Sequence, residues 1–262
     1  MKELLRPPAP YIGGKRNLAG RIIARLGAIP HHCYVEPFVG MGGIFLRRPE
    51  PSRVEVINDV SRDVATLFRV LQRHYVPLMD TLRWQITSRA EFERLVAAAP
   101  DTLTDLERAA RFLYLQRTAF GGKVSGRNFG VSLTAPARFD VGKLGAALEA
   151  VHERLTRVVI ECLPWRELLA RYDREGTLFY LDPPYWGCED DYGAGVFDRA
   201  DFAALAEALA GLRGRFLLSL NDVPEVRRLF AGFTVEGVET SYSVGGSRVA
   251  RGRVGELLIS GR

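Results

Sequence analysis

The chain predicts an α/β fold: a parallel sheet whose strands alternate with helices, interrupted by a mainly helical insertion. Three observations predict it. Short apolar strand-like runs alternate with stripes of helical period at both ends of the chain; two of those runs end in glycine-rich or acidic turns; and roughly residues 75–155 show helix signals but no strand. With 262 residues, 47% hydrophobic and 26% charged, the chain can bury a full core as one large domain or one domain with a sizeable insertion.

The elements follow in order. Tyr34 to Phe38 reads as a strand, Gly40, Gly42 and Gly43 as a turn, and the apolar stretch from Ile44 as the start of a helix. Arg53 to Ile57 reads as the next strand, ending at Asn58 and Asp59. Val64, Leu67, Phe68 and Leu71 then mark a helix face, completing a βαβα unit. Ser88 with Glu91, and Thr104 with Glu107, are capping-box pairs announcing two helices, the second running through Ala109 to Leu115. Gly121 to Ala137, rich in Gly, Ser and Asn, reads as irregular and exposed. Strands are expected at Val158 to Cys162 and Thr177 to Leu181, with a helix at Trp165 to Tyr172 between them. After a loop at Gly187 to Gly195 come a helix stripe of Phe202, Leu205, Leu209 and Leu212 and the strand Phe216 to Leu220. Thr234 to Val238 and Glu256 to Ser260 read as the last strands, separated by a Gly245-Gly246 turn. No internal repeat is present.

Composition narrows the function classes. No apolar run approaches the roughly 18 residues of a membrane helix, and the start lacks the pattern of a signal peptide. A soluble, unexported, cytoplasmic protein is expected, with no membrane partner. Cys33, Cys162 and Cys188 are odd in number and lack CxxC spacing, against a disulfide framework or a structural zinc. His31 and His32 lack partners at ligand spacing, so no metal is expected. The net charge of +5 is concentrated: Leu106 to Lys143 holds seven basic residues against Glu107 and Asp140, which accounts for all of it. Such a stretch is either a solvated face or a surface that meets phosphates.

Four segments carry chemistry: Gly13-Gly14-Lys15 after Tyr11, Glu36 to Gly43 after the first strand, Asn58-Asp59 after the second, and Asp182-Pro183-Pro184-Tyr185 after Thr177 to Leu181. A glycine turn after a first parallel strand lets a ligand approach the backbone, and an acid ending the second can accept bonds from ribose hydroxyls. The dinucleotide fingerprint fails because its third glycine position is Phe45, and no phosphate loop of the Gly-x4-Gly-Lys type is present. An adenosine cofactor without a phosphate, such as S-adenosylmethionine, fits better. Asp182 and the Pro183 carbonyl form a pair of acceptors suited to an exocyclic NH2, and Tyr185 offers a face on which a base can stack.

Taken together and in this order, these motifs resemble the Dam-like (D12 class) DNA adenine-N6 methyltransferases, whose cofactor motifs precede a target-recognition region and whose catalytic tetrapeptide follows it. Phe112 to Leu115 with Arg117 and Gly121-Gly122 is similar to the family's recognition segment, and Ser219-Leu220-Asn221-Asp222 to a late strand end. Two positions depart from the pattern: Tyr11 stands where many relatives have Trp, and the glycine motif ends Gly42-Gly43 rather than in a small polar residue. The resemblance implies a Rossmann-like S-adenosylmethionine-dependent methyltransferase sheet with an inserted helical recognition region. The catalytic domain would be residues 1–74 and 156–262, and the recognition region 75–155. Tyr11, Lys15, Phe38, Gly40, Asp59 and Asp182 would hold S-adenosyl-L-methionine. Asp182, Pro183, Pro184 and Tyr185 would form the catalytic tetrapeptide that grips a flipped adenine, as part of a bacterial or phage restriction-modification or related system. The partner would be double-stranded DNA, met by Arg117, Lys123 and Arg127, with a monomer favoured.

Direct in-line transfer from an activated donor needs neither a metal nor a covalent intermediate, and no cysteine stands in the Pro-Cys context of carbon-5 cytosine chemistry. The loop with Glu189, Asp190, Asp191 and Tyr192 either closes over the flipped base or is a plain surface loop. Cytosine N4, an RNA adenine, or a DNA-binding relative without activity remain alternatives on residue types alone. An NAD-linked dehydrogenase is disfavoured by Phe45.

Overall fold

The computed structural model describes residues 5–131, 134, 136–193, 195–241 and 253–261. In chain order the main elements are α1 (Ala19–Gly27), β1 (Cys33–Glu36), β2 (Val54–Asn58), α2 (Arg62–Arg73), α3 (Tyr75–Arg83), α4 (Arg89–Ala97), α5 (Asp105–Thr118) and α6 (Val141–Leu155). They continue with β3 (Val158–Glu161), α7 (Trp165–Tyr172), β4 (Thr177–Leu181), α8 (Arg199–Ala210), β5 (Arg215–Asn221), α9 (Pro224–Leu229), β6 (Thr234–Ser241) and β7 (Arg253–Ser260). The seven strands form one sheet in the order β3-β2-β1-β4-β5-β7-β6. The first five run parallel, while β7 is antiparallel to both β5 and β6. This is the doubly wound, Rossmann-like α/β arrangement.

Alternation along the strands explains the two helical layers. Tyr34, Ile57, Leu178, Tyr180 and Leu217 join the cluster made with α1, α2 and the middle helices. Their neighbours Val35, Val56, Phe179, Leu181, Phe216 and Leu218 join the cluster made with α7, α8 and α9. Burial on both faces is why these strands read as nearly continuous apolar runs.

Helices α2 to α6 all lie within the single β2-to-β3 crossover, and the apolar faces of α3 to α6 pack into the same cluster as α2. Helix α5 begins with a complete capping box, in which Thr104 accepts from the Glu107 N–H and the Glu107 carboxylate accepts from the Thr104 N–H. The Ser88 pair forms only half of one. Ser88 accepts from the Glu91 N–H, while the Glu91 carboxylate turns to Gln85 and Arg94.

One expected helix is missing. The stretch from Ile44 makes a single 3-10 turn, Phe45–Arg47, and then runs extended at Arg48. Pro49 follows directly, and a proline disfavours helical backbone in the residue before it; Pro51 repeats the obstruction. The loop after Tyr185 carries a 3-10 turn, Glu189–Tyr192. The Gly245-Gly246 turn lies outside the described residues. Among the described residues no helix is long and apolar enough to cross a membrane.

Candidate active site

Strands β1 and β4 are parallel neighbours from which the chain winds in opposite directions, β1 towards β2 and β3, β4 towards β5. The loops leaving their C-terminal ends therefore diverge and open a crevice, the usual ligand position in such sheets. The glycine loop leaves β1 there and the Asp182 tetrapeptide leaves β4.

The glycine loop is fixed by the end of β2. Val39 N–H donates to the Asn58 carbonyl at 2.9 Å and Gly40 N–H to Asp59 Oδ2 at 3.0 Å. The Asn58 side chain donates to the carbonyls of Pro37 (2.9 Å) and Leu163 (3.0 Å) and accepts from the Leu163 N–H (2.8 Å), joining the ends of β1, β2 and β3. Gly40 has φ +50°, and a Cβ there would come within 2.9 Å of the Tyr11 ring. Only glycine allows both the turn and the ring above it. Asp59 Oδ1 takes the Ser61 N–H at 2.9 Å. Burial pushes the Asp59 carboxyl up to about 6, against those two backbone donors.

The Gly13-Gly14-Lys15 segment brings its lysine to the other side of the crevice. Lys15 Nζ lies 2.6 Å from Asp182 Oδ1, 2.9 Å from the Tyr185 hydroxyl oxygen and 3.4 Å from Glu256 Oε1 on β7. It also stands 4.4 Å from the Tyr185 ring centroid. Ser219 Oγ on β5 donates to the same Asp182 oxygen at 3.0 Å. Both interactions end on Oδ1, so Oδ2 retains acceptor capacity for an incoming group. The Lys15 side chain is 2% exposed, whereas that of Asp182 is 20% exposed, so the carboxylate is reached from the crevice rather than sealed in the core. Burial raises the Asp182 carboxyl to about 6; the Lys15 ammonium opposes this rise and the Glu256 charge adds to it. Glu36, at the end of β1 and accepting from the Tyr34 hydroxyl at 2.7 Å, is pushed up to about 8 by burial, with the Asp182 charge adding to the rise.

The roof of the crevice is aromatic. Tyr192 donates to the Ile12 carbonyl at 3.1 Å, and its ring centroid lies 5.8 Å from that of Tyr11. Gly13 has φ +72°, a backbone that other residues rarely adopt, and a Cβ there would displace the Tyr192 hydroxyl. The post-tetrapeptide loop is thus seated on the N-terminal motif. The same motif docks on the middle block: Ile12 N–H donates to the Gly122 carbonyl at 3.1 Å, and the buried Gln116 amide donates to the carbonyls of Pro10 (3.2 Å) and Gly122 (3.1 Å).

The sequence-predicted residues separate into two groups. Tyr11, Lys15, Gly40, Asp59, Asp182 and Tyr185 are brought together from segments far apart in the chain. Pro183 and Pro184 are buried beside Asp182, and half-buried Phe38 meets Phe197 edge-on at 6.0 Å. The basic trio behaves differently. Lys123 is exposed, but Arg117 donates to the carbonyls of Pro8 (3.2 Å) and Arg138 (3.0 Å), and Arg127 to the Lys123 carbonyl (3.3 Å) and Gln116 Oε1 (3.1 Å). Of the other basic residues, Arg108 and Arg111 are buried on α5. Arg108 Nε is 2.6 Å from Asp63 Oδ1 on α2. Glu256 and Gln116 carry no motif signal, because strand pairing and helix docking alone bring them to the site.

The chain is 25% identical to the Type II methyltransferase M1.LlaDCHI of Lactococcus lactis subsp. cremoris, over 98% of this chain and 95% of that protein. It is 22% identical to the Type II methyltransferase M.CviBI of Paramecium bursaria Chlorella virus NC1A, over 96% and 95%. It is 26% identical to a DNA adenine methylase of Vibrio cholerae, over 95% and 93%. The family model for D12 class N6 adenine-specific DNA methyltransferases matches residues 11–244, nearly the whole chain, and the chain belongs to that family.

Proposed function

We propose that the protein transfers a methyl group from S-adenosyl-L-methionine to the N6 amino group of adenine in double-stranded DNA, with the base rotated out of the duplex. The observation that carries this reading is the Asp182 carboxylate at the switch point, with Oδ1 held by Lys15 and Ser219 and Oδ2 left to an incoming donor. At neutral pH a carboxyl at about 6 is mostly ionised, so it accepts from an amine.

The crevice suits the cofactor. Asp59 has spent one bond per oxygen on backbone N–H groups, and a carboxylate keeps further lone pairs for ribose hydroxyls. Tyr11, above Gly40 and beside Asp59, presents a flat face to an adenine ring, and the glycine backbone admits close approach. When bound, the cofactor supplies an electrophilic methyl on a sulfonium, needing no further activation. The chain's own residues orient the nucleophile. Asp182 Oδ2 and the Pro183 carbonyl accept the two N–H bonds of the amine, turning its lone pair away from them, and Tyr185 stacks on the base at about 1 to 3 kcal/mol. Stacking offsets part of the few kcal/mol needed to extrude a base. The new N–C bond forms as the S–C bond breaks. The N6 proton is then shed, to water or to the Asp182 carboxylate that accepts from the amine.

Residues 75–155 would supply target recognition within a domain formed by 1–74 and 156–262. Lys123 is the foremost candidate for phosphate contact. Arg117 and Arg127 already spend donors on oxygens of Pro8, Arg138, Lys123 and Gln116, which leaves fewer of their N–H groups for DNA. The test is transfer from methyl-tritiated cofactor to DNA, followed by digestion to nucleosides. Label in N6-methyladenine is expected. Label in N4-methylcytosine, or none in DNA, overturns the assignment.

A further inference from the structure

We propose that Ser219 and Asn221, two residues apart on β5, are positioning residues that brace the Asp182–Tyr185 tetrapeptide at both ends. The proposal rests on the reading that Asp182 holds the substrate amine. Residues i and i+2 of a strand share a face, so both side chains leave β5 on the side opposite to Leu218 and Leu220, which join the α8 and α9 cluster. Leu218 pairs with Leu181, which puts Ser219 level with Asp182 at the end of β4.

Ser219 is wholly buried and fixes the carboxylate. Two groups that can only accept face the Ser219 hydroxyl, Asp182 Oδ1 at 3.0 Å and the Leu181 carbonyl at 3.5 Å, and its single hydrogen goes to the nearer, charged oxygen. The Tyr180 hydroxyl, 3.0 Å away and also buried, must therefore donate to Ser219 Oγ. A directed chain from Tyr180 through Ser219 to Asp182 sets the rotation of the carboxylate and hence the direction of Oδ2.

Asn221 fixes the other end. Its amide accepts from the Trp186 N–H at 2.9 Å and donates to the Trp186 carbonyl at 3.0 Å, closing a two-bond ring on the residue that follows Tyr185. The Trp186 ring is packed on Phe202, with centroids 5.0 Å apart, and lies under the Arg199 guanidinium at 3.9 Å. Tyr185 is thereby suspended between a strand end and an anchored tryptophan, which restricts where its ring can stand.

The test compares wild type, S219A, Y180F and N221A on DNA that the wild type methylates. Steady-state constants are measured across pH, and thermal melting reports folding. The groups facing Asp182 are Lys15 from the N-terminal motif, Glu36 from β1, Tyr180 and Tyr185 from its own segment, Tyr192 from the following loop and Glu256 from β7. None is altered except Tyr180 in its own variant. S219A removes a donor to the ionised carboxylate. The acid limb of kcat/KM should move to higher pH, and kcat should fall roughly tenfold to a hundredfold with KM for the cofactor little changed. Y180F should move the limb in the same direction by less, and it decides the matter if S219A does not fold. N221A should lower kcat without moving the limb, because its bonds are to main chain. Folded S219A and Y180F that keep the wild-type limb, or N221A with the wild-type kcat, overturn the proposal. A wild type that places no methyl on DNA adenine overturns the assignment beneath it, before any variant is compared.

Discussion

The crevice between β1 and β4 and the basic middle block use charge in opposite ways. In the crevice, few charged groups converge from distant segments. Lys15 and Tyr185, 170 positions apart, touch at 2.9 Å, and the Asp182 carboxylate that also holds Lys15 keeps one oxygen available. In the middle block many charges are adjacent in the chain, yet most are consumed internally. Arg108 pairs with Asp63, Arg111 donates to the Leu95 carbonyl at 2.6 Å, and Arg117 and Arg127 tie loops together. The guanidinium fork, with five donors, is as useful for clamping carbonyls as for gripping phosphate. Net charge counted along a segment therefore overstates the surface that DNA can meet, whereas a few residue types at strand ends locate a site well.

The largest effect should come from the crevice. Asp182→Asn keeps the shape and an oxygen for Ser219 but removes the ionised acceptor and the partner of Lys15. Methyl transfer, followed by label incorporation, should fall about a thousandfold, with the fold retained by circular dichroism. A variant within tenfold of wild type would leave the crevice without its central claim.

Glu36 sharpens the same side through stability. Its carboxyl rises from 4.5 to about 8 because burial disfavours the charged form. The folded state thus holds a proton that the unfolded state releases. Stability from this group is fully present below about 4.5 and is lost as pH rises to about 8. Glu36→Gln keeps an acceptor for Tyr34 but cannot ionise. Urea unfolding across that window should show a smaller decline than wild type, by an amount on the order of a few kcal/mol.

Much of this was legible in the sequence, for reasons tied to particular residues. Trp165–Tyr172 and Thr177–Leu181 are legible to the residue because Trp165, Leu168 and Leu169 have helical spacing, Leu178 to Leu181 is a short apolar run, and Pro164 and Gly176 bound the two elements. The crevice was readable because Gly40, Asp59 and Asp182 sit at strand ends, where sheet geometry dictates proximity. The turn after Gly43 imitates a helix start because Ile44, Phe45 and Leu46 are apolar, but Pro49 stops the backbone after one 3-10 turn. Glu256 and Gln116 were invisible. Their roles depend on β7 lying beside β5 and on α5 docking against Pro10, and neither pairing leaves a local pattern.

Arg108 breaks the comparison from the other side. Replacing it with Ala leaves Asp63 with only Arg111 Nη1 at 3.9 Å. Losing the charge-assisted bond to a carboxylate that is only 17% exposed should cost about 2 kcal/mol in chemical unfolding. The salt dependence of DNA binding should not change, since a guanidinium buried against Asp63 releases no counterions. A flattened salt slope in folded Arg108→Ala would return the whole segment to the role of a phosphate surface.

Lys123 gives the smallest effect. It is exposed, three residues beyond Phe120 and next to Gly122, whose carbonyl holds the Ile12 N–H of the N-terminal motif. A lysine there can neutralise one phosphate without disturbing anything folded. Lys123→Gln should leave unfolding unchanged and weaken binding to cognate and unrelated duplexes alike. It should also reduce the slope of log K against log salt by about one. A loss confined to one sequence would make Lys123 a reader of base edges instead. It would then be the middle block, and not the crevice, that places a charge for a specific partner.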